Sequence, residues 1–204
     1  MRGRLIAQIN ASLDGYIEDE KHDIDWHFLD DEYEEFINET LRSLDGMIFG
    51  RKAYEPLSAY WPTAAANPDA SVRHLEAATL MHEIPKYVVS TTLSGSDWNN
   101  TDVISGDVRT AVQDLKAASS RDIAVFVGGR VISSLTDYGL VDEYRITVNP
   151  ILLGAGTPLF SGRMARRPLT LVTMRTFRSG EIVLTYQPAH ANQGNDPEGT
   201  QHEQ

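Results

Sequence analysis

Two short turns in this chain hold the residue types that bind anions. In "FVGGRVI" (126–132) a β-prone run gives way to two adjacent glycines and then to what reads as the first turn of a helix. Glycine is costly in backbone entropy, so a pair has a reason: the turn takes φ > 0, or something comes very close to the backbone. A helix opening at Gly129 aims unpaired N–H groups outward, and the missing Cβ atoms of Gly128 and Gly129 let a phosphate approach them. A tight turn with close strand–helix packing accounts for the same pair and stays open beside it. In "FGRKAYE" (49–55) Gly50 ends a strand, and Arg51 and Lys52 open a helix. Two cations there oppose the macrodipole at roughly 0.3–1 kcal/mol each, which makes sense if an anion sits between them. Exposed solubilising charge is the alternative.

Taken together the turns say more than either does alone. A dinucleotide needs one site for its pyrophosphate and, if phosphorylated, another for its ribose 2′-phosphate, which Arg51 and Lys52 would suit. The dinucleotide fingerprint of a Rossmann domain is missing, because the one G-x-G, in "LLGAGTPLF" (152–160), runs into a proline and not a helix. No P-loop, G-x-S-x-G or H-E-x-x-H occurs, and "HDIDWH" (22–27) has no metal-ligand spacing. The absence of cysteine removes disulfides, thiolate metal sites and thiol nucleophiles at once. A net charge of −11, with no long run of Lys and Arg, argues against nucleic acid as a partner.

These turns need strands and helices to position them. "RLIAQIN" (4–10) reads as a first strand, and "DDEYEEFINETLRSL" (30–44) as a helix with Phe36, Ile37, Leu41 and Leu44 on one face. "GMIFG" (46–50) is a short buried strand, and "RKAYEPLSAYW" is helical until Pro56 disturbs it. A helix over 71–83 leads into the strand "KYVVSTTL" (86–93). "DVRTAVQDLKAA" is a helix capped by Asp107, "DIAVFV" a strand, and "GRVISSLTDYG" a helix closed by Gly139. "DEYRITVNPIL" is a strand, and "LTLVTMRTF" and "EIVLTYQ" flank "RSG" as a hairpin. Strands alternating with helices predict an α/β fold, a largely parallel sheet covered on both faces, with antiparallel strands at one edge. Ligands in such sheets sit beyond the carboxyl ends of strands, where both turns lie.

At 204 residues, 41% of them apolar, the chain can bury one sizeable core. The predicted folded domain is 1–188. Residues 189–204 form a polar tail without large apolar residues, which cannot order itself. No apolar run approaches the roughly 20 residues that cross a bilayer, and residues 1–15 do not read as a signal peptide, so a cytoplasmic protein without membrane contact is expected.

Seven phrases in order resemble the dihydrofolate reductase-like superfamily, and most closely the branch containing the C-terminal reductase domain of the bifunctional riboflavin-biosynthesis enzyme. They are "SLDGYI" (12–17), "IDW" (24–26), "GRKAYE" (50–55), "VVSTTL" (88–93), "VFVGGRVISSL" (125–135), "GLVDEYRITVNPILLGAGTPLF" (139–160) and the closing hairpin. The resemblance implies an NADPH-binding mixed sheet of about eight strands and hydride transfer to a C=N or C=O bond. Carried over by position, Gly128, Gly129, Arg130 and Val131 would hold the pyrophosphate. Gly50, Arg51 and Lys52 would hold the adenosine side and its 2′-phosphate, helped by Ser90 and Thr91. Ala7 would lie by the nicotinamide carboxamide under a mobile loop of Asp14, Gly15 and Tyr16. Trp26 and Tyr16 would wall the substrate pocket, and Asp31, next to Asp30, is the nearest equivalent of the substrate-binding acid of the folate enzymes, with Asp14 or Asp25 as the alternative acid. The chain departs from the family at Ala53, where a threonine is common. The ribose-phosphate ligand of the riboflavin branch would want a cationic pocket.

Two functions follow. One is an NADPH-dependent reductase of a small pyrimidine- or pterin-like substrate; the other is a reductase-fold protein that binds a nucleotide without turnover. The resemblance also suggests a homodimer, with Leu171, Met174 and Phe177 of the edge hairpin facing the partner.

Overall fold

A computed structural model of the chain describes residues 2–28, 30–126, 129–160 and 165–189. The expected tail, from 190 onward, and Gly128 lie outside the described residues. Among the described residues, ten strands and five helices follow one another as β1 (Leu5–Ser12), β2 (Tyr16–Glu18), α1 (Asp31–Arg42), β3 (Leu44–Gly50), α2 (Arg51–Ala64), α3 (Val72–Glu83), β4 (Lys86–Val89), β5 (Thr101–Ile104), α4 (Val108–Ala118), β6 (Asp122–Phe126), α5 (Gly129–Asp137), β7 (Glu143–Asn149), β8 (Thr157–Pro158), β9 (Leu169–Thr176) and β10 (Ile182–Pro188).

Eight strands form one mixed sheet in the order β5-β4-β3-β6-β1-β7-β10-β9. The first six of that row are parallel, and the β9–β10 hairpin adds the antiparallel edge. Alternation along β1 divides the core, since Leu5, Ala7 and Ile9 join one cluster and Ile6 the other. The first cluster takes Val112 of α4 and Ile132 and Leu135 of α5; the second takes Leu41 of α1, Tyr54 of α2 and Met81 of α3. So α1, α2 and α3 cover one face of the sheet, and α4 and α5 the other. After β1 the chain passes over one place to β3, builds outward to β5, and returns with β6 into the gap. The helices that follow the neighbours β3 and β6 therefore leave to opposite faces, opening a crevice at the carboxyl ends of those strands.

Several expected boundaries shift. Helix α2 runs through Pro56 and on through Pro62, because Tyr54, Leu57 and Trp61 anchor it to the core on both sides of the missing N–H groups. Strand β4 stops at Val89, where Ser90 Oγ accepts from the backbone N–H of Thr92 (3.2 Å) and Leu93 (3.0 Å) and turns the chain. Three short strands escape the sequence reading: β5, and the β2–β8 pair that forms a separate two-stranded sheet. Phe177 does not face outward. It is buried within the chain, its ring 5.3 Å from that of Tyr33 and 5.6 Å from that of Phe36. A register shift between Thr185 and Tyr186 sets Leu171 and Met174 opposite Tyr186 and Leu184, where they are exposed, whereas Phe177 packs with Val183 and Tyr33. No helix among the described residues is long and apolar enough to cross a membrane.

Candidate active site

Helix α2 begins without the usual protection. Its N-cap is Gly50, which has no side chain to accept a hydrogen bond, and no acid occupies its first turn. The unpaired N–H groups there are joined by Arg51 and Lys52, both exposed. Arg51 pairs with Glu55 at 2.7 Å across a solvated surface, while Lys52 has no ion pair or side-chain hydrogen bond among the described residues. Helix α5 opens at Gly129 on the neighbouring strand, and a Cβ on Gly50 would lie 3.0 Å from Val131 Cγ2. The two anion-type turns therefore meet in the crevice. Ser90 follows Val89, which is paired with Gly50, so the end of β4 extends the same row; Thr91 and Arg130 are exposed beside it.

Gly129 also answers the question its type raises. A Cβ there would come within 2.9 Å of Pro158 O and 3.2 Å of Leu159 O, backbone atoms of β8 and the residue after it. Close packing against its own chain requires glycine at 129, as the turn reading expected.

The remaining expected residues scatter. Ala7 is fully buried, with its side chain in the cluster under α5. Asp14 has a carboxylate that accepts from Ser12 Oγ (2.7 Å), Leu153 N (3.1 Å) and Gly154 N (2.7 Å), tying the 12–15 turn to the loop after β7. The Ser12 hydroxyl, with those backbone N–H groups, holds this carboxyl below the usual range, so it stays ionised and clamps the loop expected to move. Trp26 is buried and donates Nε1–H to Asp23 O at 3.1 Å. Its neighbour His27 is pushed down to about 4 by burial and is neutral at physiological pH. Asp31 has a side chain 82% exposed and ion-paired to Arg73 at 3.2 Å. Its neighbour Asp30 is the N-cap of α1, accepting from Tyr33 N at 2.8 Å.

What the sequence reading did not locate is a cleft of about 830 Å³ between α1, α2 and α3, closed at one end by Glu18, His22 and Ile24. It starts at the α2 N-terminus, since Lys52 and Ala53 line it, and none of Ala7, Asp14, Trp26 and Asp31 does. Its floor includes Tyr33, whose hydroxyl donates to Asn10 Oδ1 at 2.7 Å and lies 3.1 Å from Thr147 Oγ1. Burial pushes that phenol up to about 12, so it is neutral. One wall is aromatic: the Trp61 ring stacks on His74 at 5.5 Å, and Tyr60 meets Trp61 edge-on at 5.2 Å. The Tyr60 hydroxyl shares a 2.9 Å hydrogen bond with His74 Nε2. From α1 the carboxylate that lines the cleft is Glu34, one helical turn beyond Asp30. A signal existed for these residues, because Ala53, Pro56, Leu57 and Tyr60 recur at helical spacing, yet such a stripe does not tell cleft from core. Among the described residues no cluster of His, Asp and Glu could hold a metal ion.

The chain is similar to known proteins. Protein YyaP of Bacillus subtilis, itself uncharacterised, is 32% identical over 185 residues, spanning 90% of this chain and 94% of its own. The crystal structure of a Shewanella sp. PV-4 protein named for riboflavin biosynthesis superposes with a TM-score of 0.71 at 23% identity, over 93% of this chain and 100% of that one. Dihydrofolate reductase of Enterococcus faecalis, solved as a complex with NADP(H), has the same fold at 12% identity, with a TM-score of 0.63 over 93% of this chain and 99% of that one. The model of the RibD C-terminal domain family matches residues 4–184, β1 through β10, and with that match across the whole sheet the chain belongs to the RibD C-terminal domain family.

Proposed function

We propose that the protein is an NADPH-dependent reductase that transfers a hydride to a small pyrimidine- or pterin-like substrate held in the α1–α2–α3 cleft. One observation carries the cofactor half of this reading: an uncapped helix N-terminus bearing Arg51 and Lys52 stands at a strand-switch crevice, beside a largely apolar cleft. Family membership and the shared fold of a reductase solved with NADP(H) support it. The donor set fits a phosphorylated dinucleotide, because free N–H groups and two cations converge where no protein side chain caps the helix. Arg51 and Lys52 would take the 2′-phosphate, with Ser90 and Thr91 beside them, and the α5 opening at Gly129, Arg130 and Val131 would face the pyrophosphate.

When bound, the cofactor supplies a hydride. The chain would contribute position and a dry pocket, and the proton that balances the hydride on a C=N or C=O bond would come from solvent water. Tyr33 and Ile37 keep water from the cleft floor, and the Asp14 clamp holds the 12–15 turn above the carboxyl end of β1. The substrate-anchoring role passes from Asp31, which faces solvent, to Glu34, which lines the cleft. A second reading, nucleotide binding without turnover, is favoured by the lack of a proton-holding acid at Asp14, which stays ionised.

Arg51→Ala decides the cofactor assignment. A hydrogen bond to a charged group contributes roughly 1.5–3 kcal/mol, so NADPH should bind about ten- to a hundredfold more weakly while NADH is nearly unaffected. Loss of the exposed pair with Glu55 changes stability by under about 1 kcal/mol, so thermal unfolding should hardly move. Equal weakening of both cofactors rejects the 2′-phosphate site. NADPH oxidation measured against a substrate panel separates the reductase from the binding protein. A homodimer across the β9 edge belongs to the same proposal, with Leu169, Leu171, Val172 and Met174 exposed along that strand; a monomeric mass in sedimentation would reject it.

A further inference from the structure

The charges around the cleft restrict what it can accept. Three carboxylates, Glu18, Glu34 and Glu55, line it against two permanent cations, Lys52 and Arg73. Arg73 is already engaged, at 3.2 Å from Asp31 and 3.6 Å from Glu35. Lys52 stands at the α2 N-terminus and belongs to the proposed cofactor phosphate. Glu55 is paired with Arg51 at 2.7 Å and Glu18 is bonded to His22 at 2.7 Å, so no permanent cation of the lining is left over for a phosphate on the substrate, which would have to enter beside the Glu34 carboxylate. The rest of the cleft is apolar, with Ile24, Ile37 and Leu57 facing the Trp61–His74–Tyr60 wall.

We infer that the cleft takes a planar heteroaromatic ring without a phosphate, seated against Trp61 and His74, and that these two side chains determine its specificity. Resting on the reductase reading for the site, the inference excludes sugar phosphates as substrates. An aromatic ring stacked on a tryptophan gains up to about tenfold in affinity beyond its buried area.

The test uses the whole chain and lumazine, a flat bicyclic lactam, followed by quenching of tryptophan emission. Lumazine should bind, Trp61→Leu and His74→Ala should each weaken it about tenfold or more, and millimolar ribose 5-phosphate should not displace it. Circular dichroism and thermal unfolding of both variants show that they fold; should Trp61→Leu fail to fold, His74→Ala alone supplies the comparison. Displacement by ribose 5-phosphate, unchanged lumazine affinity in the folded variants, or no lumazine binding overturns the inference. NADPH binding, read separately from the emission of the reduced nicotinamide, keeps the two ideas apart. Lumazine bound without NADPH defeats the reductase reading and leaves the cleft specificity standing, and NADPH bound without lumazine does the reverse.

Discussion

Gly129 shows how one residue type can have two explanations that only contacts distinguish. Its missing Cβ lets the carbonyls of Pro158 and Leu159 come close, so the glycine is needed before any ligand arrives. Gly129→Ala must push β8 or the start of α5 aside, and overpacking of this kind costs roughly 1–3 kcal/mol. Thermal unfolding of the ligand-free variant should show that loss. An unchanged melting temperature with reduced dinucleotide binding would return Gly129 to the phosphate. The two anion-type turns were legible as strand-to-helix turns because glycine, arginine and lysine there have few uses. The residues of the cleft were not, since Trp61, His74 and Glu34 lie on three helices whose faces look like ordinary core or surface in sequence.

At the scale of elements, helix ends are held by partners distant in sequence, beginning with the N-terminus of α1. Asp30 caps it through Tyr33 N and also accepts from Ser179 Oγ at 2.9 Å, in the hairpin turn between β9 and β10. Asp30→Ala should cost about 0.5–2 kcal/mol, the usual range for a lost N-cap, whereas Asp31→Ala should cost little. Equal losses in chemical denaturation would show that charge near the helix start matters more than the cap. At its C-terminus α3 is finished by Lys86, which is fully buried in β4 and donates Nζ–H to Met81 O (2.8 Å), His82 O (3.0 Å) and Ile84 O (2.8 Å). The Trp98 ring lies 4.6 Å from the same ammonium. Lys86→Met keeps the volume and leaves buried carbonyls unmatched, at roughly 1–3 kcal/mol for each group that water cannot reach. The measurement is again the denaturation midpoint, and a change within about 0.5 kcal/mol would mean that water replaces the ammonium.

For the whole molecule, acid is the informative stress. Asp45, at the start of β3, accepts from Ser120 N (2.9 Å), Arg121 N (2.7 Å) and Arg121 Nε (2.6 Å), stitching the central strands together at their amino ends. The Arg121 backbone N–H leads the groups that lower its carboxyl from 3.8 to about 2. A carboxylate whose folded pKa is depressed stabilises the protein above its unfolded value and loses that contribution as pH falls through the folded one. Stability should therefore decline between about pH 4 and pH 2. Asp14, Asp30 and Asp107 are shifted the same way and add to the decline. Asp45→Asn should lower the melting temperature at neutral pH and flatten this part of the profile; parallel profiles for the two proteins would remove Asp45 from the account.

Sequence alone determined the alternation of strands and helices, the hairpin at one edge and the two turns suited to anions, because periodicity, caps and glycines act over a few residues. Asp107 as a cap and Gly139 as a helix stop needed nothing beyond their neighbours. Tertiary structure decided the order of the strands, and with it that the helices after β3 and β6 part to opposite faces and open a crevice. It also carried α2 through two prolines, turned Phe177 inward, sent Asp31 to the solvent and set Trp61 against His74 across two helices. Each of these depends on which surfaces meet after the chain has closed on itself, and long-range packing outweighs local preference when the buried area is large and the local penalty is only a few kcal/mol.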